Sequence, residues 1–396
     1  LEIDDKRKEI LASVEEKRRE QNNYNLKISQ EQDSTRKMGL IEEMRKVKEV
    51  LQKEEEDLKK VMKEWQLLMV QVPNIPDISV PDGDDESSNK EIRVWGEKPE
   101  FSFKPKDHIE LMTRLGMVDF ERGVKISGFR GYVLKGDGAL LNYAIWNFVT
   151  DHFIQKGGFT PMIVPSLVRK EPFIGTGYLP QSEDELYKTQ DGDFLAGTSE
   201  VPTMSYYMDE TLSKDALPIK FLSFSPCFRR EAGSHGKDTK GLMRVHEFFK
   251  IEQVVLCEAS HEESVKHHEE LTRNSEELLQ KLNIPYRVVI NCGGDLGLGQ
   301  VKKYDIESWV PSEENYRETH SSSYFHDFQT RRLNIKYKDS EGNLLFTHSL
   351  NNTALATPRI LISVIENNQK EDGSVVIPKE LQKYLGERTE FSVKRD

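Results

Sequence analysis

The residues best suited to chemistry in this sequence lie between positions 221 and 252. A run typical of a β-strand ends in FRRE at 228–231, a polar loop containing glycine follows at 232–242, and a second β-like run begins near Arg244. An arginine on a rigid strand can direct two N–H donors at a phosphate or a carboxylate, a geometry that lysine satisfies poorly. This pattern makes Arg229 the candidate for binding an anionic group during a reaction.

Two further motifs flank this stretch. Ahead of it, GGFTP at 157–161 follows an amphipathic helical segment and leads to IVP at 163–165. Behind it, LNNTALATPR at 350–359 ends in Arg359 and precedes a helical segment. The three motifs in this order resemble the signatures of class II aminoacyl-tRNA synthetases, whereas any one of them alone is a weak signal. In that class the first motif builds the dimer interface, and the arginine of the third holds the γ-phosphate of ATP.

Residues outside the class motifs narrow the resemblance to one family. TSEVP at 198–202 resembles the threonine-x-glutamate signature of seryl-tRNA synthetases, and FRREAGS at 228–234 is similar to their form of the second motif. The resemblance covers essentially the whole chain. It implies ATP-dependent activation of serine to seryl-adenylate and transfer of serine to the 3′ end of tRNA(Ser). It also implies ATP as a substrate, Mg²⁺ as the metal and a homodimer as the assembly.

The resemblance assigns roles to individual residues. The ATP site would comprise Arg229, Arg230, Glu231, Val245, Phe248, Glu318, Thr319, His320, Ser321 and Arg359. The serine site would comprise Thr198, Ser199, Glu200, Arg229, Glu252 and Thr353. Glu231 would contact the adenine edge, Phe248 would stack on the ring, and Val245 would reach the base through its backbone. Arg229 and Arg359 are the catalytic candidates, and Glu318 with Ser321 would bind Mg²⁺.

The residue types agree with a small polar substrate. An ammonium and a hydroxyl call for an acid and short hydroxyl side chains, and unpaired donors in such a site reject alanine more strongly than a missing methylene could. Two positions fit the family less directly. His320 stands where a small residue is more usual, and strand alternation turns Arg230 to the other face, where an ion pair or a tRNA contact is expected.

Both strands and helices are predicted around these side chains. We predict strands at 221–228, 248–256, 286–291 and 344–350, and helices at 140–156, 260–282 and 355–368. Strands and helices do not alternate one for one. The sequence therefore predicts an α+β fold in which helices flank an antiparallel β-sheet, as the class II catalytic domain would require.

The first seventy residues show a different pattern. From Leu40 to Leu68, mostly apolar residues recur at alternate steps of four and three, which predicts a coiled-coil helix over about 35–70. A matching stretch upstream predicts an antiparallel hairpin of two helices. Periodicity alone favours an ordinary oligomerisation coiled coil. The resemblance implies instead an arm that binds tRNA(Ser), with candidate contacts at Arg18, Arg19, Lys27, Arg36 and Lys37.

The chain therefore divides into three predicted segments. The helical arm occupies 1–71, a segment rich in proline, glycine and acidic residues forms a linker at 72–98, and the catalytic domain occupies 99–396. The glycine-rich stretch at 293–299 lacks the G-K-[ST] of a P-loop, so a turn is expected there. His261, His267 and His268 lie in a charged helix, for which a solvated face is favoured over a metal site.

Composition limits the functional classes. A net charge of −12 argues against a surface covered by nucleic acid, yet basic residues outnumber acidic ones six to three over 17–37. No run approaches the ~18 apolar residues of a membrane span. Three cysteines without a C-x-x-C pair suggest neither a disulfide framework nor a zinc site. We expect a reducing compartment, the cytoplasm, with a mitochondrial or other organelle matrix as the alternative.

Two other functions remain open from the sequence. One is a ligase that makes an aminoacyl-adenylate but loads a carrier protein or a small molecule. The other is a catalytically silent paralogue that binds RNA or a protein. The length of the helical arm argues against the first, because such an arm has no obvious use without a long RNA. The charged residues kept in the motifs argue against the second.

Overall fold

A computed structural model describes residues 1–234 and 236–393 of the chain. The protein divides into two compact units, Leu1–Val72 and Pro73–Asp396. Among the described residues, no helix combines the length and the apolar character needed to cross a membrane.

The first unit is a hairpin of two long helices, α1 (Glu2–Gln30) and α2 (Ser34–Met69). Its antiparallel packing follows from contacts between distant positions, since the Arg7 guanidinium lies 4.7 Å from the Trp65 ring and Ser13 Oγ donates to Glu54 Oε2 at 2.9 Å. Asp33 caps α2 by accepting from the Arg36 backbone N–H at 2.9 Å. The predicted hairpin and the predicted helix over about 35–70 are confirmed.

The second unit mixes helices with strands. Its helices are α3 (His108–Arg114), α4 (Phe120–Ser127), α5 (Asp137–Lys156), α6 (Lys170–Thr176), α7 (Glu200–Met204), α8 (His261–Lys281), α9 (Phe328–Arg332), α10 (Arg359–Asn367) and α11 (Lys379–Gln382). The strands from the first half of the chain are β1 (Lys90–Trp95), β2 (Val118–Asp119), β3 (Val133–Leu134), β4 (Thr160–Ile163), β5 (Leu167–Val168), β6 (Tyr187–Lys188), β7 (Phe194–Leu195) and β8 (Thr211–Ser213). The others are β9 (Ile219–Phe228), β10 (Glu247–Cys257), β11 (Tyr286–Ile290), β12 (Lys302–Val310), β13 (Asn315–His326), β14 (Lys336–Lys338), β15 (Leu344–Phe346), β16 (His348–Thr357), β17 (Val375–Val376) and β18 (Glu390–Phe391).

An eight-stranded sheet forms the centre of this unit. Its strand order is β1-β11-β12-β13-β16-β10-β9-β4, and every neighbouring pair is antiparallel except β4 with β9. The largest hydrophobic cluster joins apolar residues of these strands with those of α3, α5, α8 and α10. The predicted α+β fold, with an antiparallel sheet flanked by helices, is confirmed.

Three sequence-based boundaries need correction. The helix predicted over 355–368 begins only at Arg359, because residues up to Thr357 belong to β16 and Pro358, which has no N–H, separates strand from helix. The strand predicted over 344–350 is two strands, β15 and β16. The segment expected as a linker at 72–98 contains β1, which pairs with β11 at the edge of the main sheet.

The prediction of a solvated face was wrong for two of the three histidines in α8. His267 and His268 are buried because this face of α8 packs on β13 and β16. His267 lies 3.0 Å from Glu270 Oε2, and His268 Nε2 lies 2.9 Å from the Ser322 carbonyl oxygen. Charged residues around them, such as Glu262 and Lys266, are exposed, and they make the segment look solvated in the sequence.

Candidate active site

A cavity of about 300 Å³ lies on one face of the eight-stranded sheet. Most of the sequence candidates line it: Glu200, Arg229, Glu231, Val245, Phe248, Glu252, Glu318, Thr319, Ser321, Thr353 and Arg359. The alternation of a strand explains several of these at once, since Phe248, Lys250 and Glu252 are every second residue of β10. Asn351 and Thr353 are likewise two positions apart on β16, and both line the cavity.

Two arginines enter the cavity from different elements. Arg229 directly follows β9; its Nε donates to the Gly197 carbonyl at 3.3 Å, and its guanidinium lies 5.3 Å from the Phe248 ring. Arg359 is the first residue of α10 and donates from Nε to the Met243 carbonyl at 3.1 Å. These backbone contacts fix both planar side chains, so the cavity presents preformed donors to an anion.

The Glu318 carboxylate lies beside Arg359. Arg359 Nη1 donates to the Glu318 carbonyl at 3.0 Å and lies 3.8 Å from its Oε2. Burial raises the pKa of Glu318, but the charges of Arg359, Lys303 and Arg229 outweigh burial and hold the pKa below its usual value. The carboxylate is therefore ionised at neutral pH. Together with the hydroxyl of Ser321 on the same cavity wall, it offers the oxygen ligands that suit Mg²⁺.

A carboxylate and an aromatic ring mark another part of the cavity. Glu231, at a φ of 55°, accepts from Arg244 Nη1 at 2.6 Å and from Ser234 Oγ at 3.3 Å. Burial raises the pKa of Glu231, but the hydrogen bond and charge of Arg244 hold it below the usual value. Phe248 follows on β10, and residues 242–245 also line the cavity. An acceptor beside an aromatic ring suits a flat heterocycle.

Glu252 is the most fully compensated charge in the cavity. It is buried, and its carboxylate accepts from Thr198 Oγ1 at 2.5 Å, from Ser199 Oγ at 3.2 Å and from Lys250 Nζ at 3.0 Å. Thr353 lies directly opposite Glu252 in the register of β10 and β16. Hydroxyl groups thus surround one carboxylate, which suits a small ligand carrying an amine and a hydroxyl.

Glu200 adds a second buried carboxylate. It accepts from Gln329 Nε2 at 2.6 Å and from the Tyr178 hydroxyl at 3.0 Å. Burial raises its pKa, and the charge of Glu252 adds to that effect, whereas the hydrogen bonds from Gln329 and Tyr178 oppose it. The site without substrate therefore holds Glu200 partly protonated near neutral pH.

Four sequence candidates do not line the cavity. Thr198 and Ser199 are buried behind it and act on Glu252 through their hydroxyls. Arg230 is exposed, and its backbone N–H donates to the Glu185 carbonyl at 3.0 Å. His320 is buried 2.8 Å from Thr319 Oγ1, and burial lowers its pKa to about 4, which makes it neutral.

A bulge in β13 explains the position of His320. His320 pairs with Ile306 while Glu318 pairs with Glu307, so Thr319 is an extra residue in this strand. Glu318, Thr319 and Ser321 all reach the cavity as a result, and His320 does not. Sequence reasoning missed Lys250, which strand alternation between Phe248 and Glu252 could have identified. It also missed Tyr178 and Gln329, for which the sequence carries no comparable signal.

All five basic candidates of the hairpin are exposed: Arg18, Arg19, Lys27, Arg36 and Lys37. Arg18 Nη2 lies 2.7 Å from Glu55 Oε1, and the Lys27 ammonium lies 5.7 Å from the Tyr24 ring. Exposed lysines and arginines of this kind remain available to phosphate groups, because surface ion pairs are weak.

Comparison with known families matches both units of the chain. Residues 1–76 match the family described as Seryl-tRNA synthetase N-terminal domain. Residues 186–368 match the tRNA synthetase class II core domain (G, H, P, S and T).

Individual relatives agree with the family matches. The serine--tRNA ligase of Deinococcus radiodurans is 48% identical over 92% of this chain and 86% of its own length. That of Bacillus subtilis is 43% identical over 98% of this chain and 91% of its own. A crystal structure of seryl-tRNA synthetase from Pyrococcus horikoshii complexed with ATP superposes with a TM-score of 0.92 at 37% identity, covering 100% of this chain and 93% of that one.

The raised pKa of Glu200 predicts how stability changes with pH. Because its pKa rises from 4.5 to about 7 on folding, the folded protein binds more protons than the unfolded one between those values. This group therefore makes the free energy of unfolding fall as pH rises through that window, by at most about 3 kcal/mol. We expect Glu200→Gln to lose less stability than the wild type between pH 5 and 8, measured by urea unfolding.

The comparison needs a control for charge removal in general. Glu171→Gln replaces an exposed glutamate and should keep the wild-type dependence on pH. Equal pH slopes for the wild type and Glu200→Gln would show that Glu200 is ionised in the folded protein at all of these pH values.

Proposed function

The chain belongs to the seryl-tRNA synthetase family, and from this premise we propose how its described residues carry out the reaction. The activity is the ATP-dependent activation of serine and its transfer to tRNA. The observation that carries the site assignment is the meeting of Arg229, Arg359 and Glu318 with the Glu252 pocket in one cavity. This arrangement supports ATP and serine bound side by side.

In the first step the serine carboxylate attacks the α-phosphorus of ATP, pyrophosphate leaves, and seryl-adenylate forms. Arg229 directs its N–H groups at the α-phosphate and the serine carboxylate, and Arg359 at the γ-phosphate. Both side chains are fixed by backbone carbonyls before ATP arrives, so little reorganisation is needed at the moment of reaction. Catalysis rests on positioning and charge stabilisation, as is general for phosphoryl and nucleotidyl transfer.

Glu318 and Ser321 are the residues that would hold Mg²⁺. The ionised Glu318 carboxylate and the Ser321 hydroxyl fit this ion, which usually takes one or two carboxylates together with substrate phosphates. When bound, Mg²⁺ would offset the negative charge of the phosphates. Thr319 lines the same wall, and its hydroxyl is 2.8 Å from Ser308 Oγ, which fixes the bulge between the two ligands.

The adenine would lie between Phe248 and the backbone of 242–245. Glu231 accepts from the exocyclic amine, and the backbone of Val245 pairs with the ring edge. Arg244 holds the Glu231 carboxylate at 2.6 Å and so fixes its direction.

The serine side chain and ammonium would lie against Glu252, Glu200 and Thr353. A ligand hydroxyl gives the polar side chains that line this pocket, such as Thr353, a further hydrogen-bond partner, whereas alanine gives none. Thr198 and Ser199 contribute by holding Glu252 rather than by touching the ligand. In the second step a ribose hydroxyl of the terminal tRNA adenosine attacks the adenylate carbonyl, and AMP leaves.

In this proposal residues 1–71 form the arm that binds tRNA(Ser) and residues 99–396 carry out catalysis, with β1 of the segment before residue 99 completing the catalytic sheet. The match of the first unit to the seryl-tRNA synthetase N-terminal domain supports tRNA as the acceptor over a carrier protein or a small molecule. The exposed cations Arg18, Arg19, Lys27, Arg36 and Lys37 supply the phosphate contacts. Its similarity to the bacterial serine--tRNA ligases supports the cytoplasm as its compartment in this proposal.

A homodimer is supported by one edge of the main sheet. β4 is the last strand of the sheet, and Ile163 at its end is 86% exposed. Ile154 of the preceding α5 is 62% exposed. An edge strand with exposed branched apolar side chains invites pairing with a second copy, which removes both the open edge and the apolar surface from water.

ATP–pyrophosphate exchange tests the proposed site. We expect exchange driven by serine and not by alanine or glycine, in the absence of tRNA. Arg229→Ala should reduce it by about a hundredfold or more, because it removes preorganised donors from the developing charge. The exposed Arg230→Ala serves as the matched control and should keep the exchange rate. Full exchange by Arg229→Ala would refute the assignment of this arginine.

The arm is tested by a reversal of its charge. Arg36→Glu combined with Lys37→Glu should raise the KM for tRNA(Ser) in aminoacylation by about tenfold or more, because two phosphate contacts become repulsive. Serine-dependent ATP–pyrophosphate exchange should not change. Lys59→Glu with Lys63→Glu, exposed on the same helix, is the matched control. Equal KM values for the two double variants would contradict a specific role of the hairpin tip.

The proposed dimer is tested at the β4 edge. Ile163→Asp should shift the protein from dimer to monomer in analytical ultracentrifugation, because a carboxylate cannot be buried there without a partner. Ile92→Asp, an exposed isoleucine of the opposite edge strand β1, is the control and should remain dimeric. A wild type that sediments as a monomer at micromolar concentration would rule out the proposal.

A further inference from the structure

A buried histidine lies behind the wall of the cavity, outside every motif of the sequence. His108 is the first residue of α3 and is 7% exposed. Its Nδ1 lies 3.1 Å from Glu366 Oε1, and its Nε2 accepts from the backbone N–H of Leu242 at 3.1 Å. Leu242 is part of the loop between β9 and β10 that lines the cavity. One imidazole ring therefore connects this loop to α10.

The contacts define the tautomer of the ring. A backbone N–H can only donate, so Nε2 must carry a lone pair, and the proton of a neutral imidazole is then on Nδ1. Nδ1–H in turn donates to the Glu366 carboxylate, which is fully buried. The same oxygen of Glu366 also accepts from the His108 backbone N–H at 2.8 Å. Glu366 thus orients the ring and sets its proton.

The residue before Leu242 is suited to this close approach. Gly241 has a φ of +77°, and a Cβ atom built on it would lie 2.3 Å from His108 Nε2. A side chain at this position would separate the ring from the loop, so the glycine and the histidine form one local arrangement.

The same helix holds the next residue of the loop. Arg359 at the start of α10 donates to the Met243 carbonyl at 3.1 Å, and Glu366 lies two helical turns further along. The N–H of Leu242 and the carbonyl of Met243 are therefore both fixed from α10, one through His108 and the other directly. Two points of attachment fix both the position and the tilt of the backbone that follows, which leads to Val245.

We propose that His108 is a positioning residue for ATP, holding the loop at 241–245 through its Nε2 in the tautomer imposed by Glu366. The inference rests on the proposed placement of adenine between Phe248 and this loop. Without the ring the buried Leu242 N–H has lost its acceptor, so the ordered position of the loop is less stable. The loss falls on ATP binding, because Glu200, Glu252 and Thr353 of the proposed serine pocket lie outside the loop at 241–245.

Two substitutions separate the acceptor from the shape of the ring. His108→Phe keeps a planar ring but removes the acceptor, and we expect it to raise the KM for ATP in pyrophosphate exchange about tenfold while the KM for serine stays within about twofold. His108→Gln places an amide oxygen near the position of Nε2 and should restore most of the ATP affinity. His152→Phe, a buried histidine of α5 that does not line the cavity, is the control for general loss of stability.

A spectroscopic measurement reports the tautomer in the wild type itself, and a variant is needed only to assign the signal. ¹⁵N-labelled histidine should show His108 with a protonated Nδ1 and an unprotonated Nε2, identified by its loss in His108→Gln. The opposite tautomer would overturn the inference. So would a His108→Phe variant whose KM for ATP is unchanged, or one whose two KM values rise equally.

The placement of adenine is tested separately by Phe248→Ala. If this variant raises the KM for ATP and His108→Phe does not, the proposed function stands and only the role of His108 fails. If neither variant changes the KM for ATP, the nucleotide does not bind against this loop, and both the adenine placement and the inference are wrong.

Discussion

The active cavity depends on the compensation of charge buried within a β-sheet. Glu252 on β10 is almost fully buried, and an isolated carboxylate there would cost several kcal/mol or take up a proton. Lys250, two residues earlier on the same strand, supplies the counter-charge, and Thr198 and Ser199 supply hydroxyl donors from outside the sheet. This carboxylate therefore helps to attach the segment between β7 and α7 to the cavity, together with the hydrogen bond from Arg229 Nε to the Gly197 carbonyl.

The same requirement organises the opposite part of the cavity. Glu318 stays ionised because Arg359, Lys303 and Arg229 surround it, and each comes from a different element. Arg359 in turn is held by carbonyls of the loop and of β13. Since α10 also carries Glu366, which holds His108 and through it Leu242, one helix fixes the loop at two adjacent residues, Leu242 and Met243. The same helix, α10, thus supplies both a counter-charge for Glu318 and the contacts that hold the loop.

The sequence predicted the parts of this arrangement that depend on motifs and on regular alternation. Arg229, Glu231, Phe248 and Arg359 line the cavity at the positions that the motifs indicated. The side that His320 faces could not be read from alternation, because the extra residue Thr319 changes the register with β12. Contacts between segments that are distant in the chain could not be predicted from the sequence either.

His108 and Glu366 are 258 positions apart, and neither lies in a motif. Their relation exists only once α3 and α10 pack together. The predicted start of the helix at 355 was wrong for a different reason. An apolar segment fits a strand and a helix equally well, and here the strand continues to Thr357 before Pro358 separates it from the helix.

The two carboxylates of the proposed serine pocket explain why a substrate that carries an ammonium group fits there. Glu200 and Glu252 repel each other, and Lys250 compensates only one negative charge. In the proposed pose the serine ammonium supplies the missing positive charge, which favours the ionised form of Glu200. Part of the energy stored by burying two acids close together is then released when substrate binds. A ligand of the same size without an ammonium group cannot release it, so in this proposal the pocket selects for an amine by charge and for a hydroxyl by hydrogen bonding.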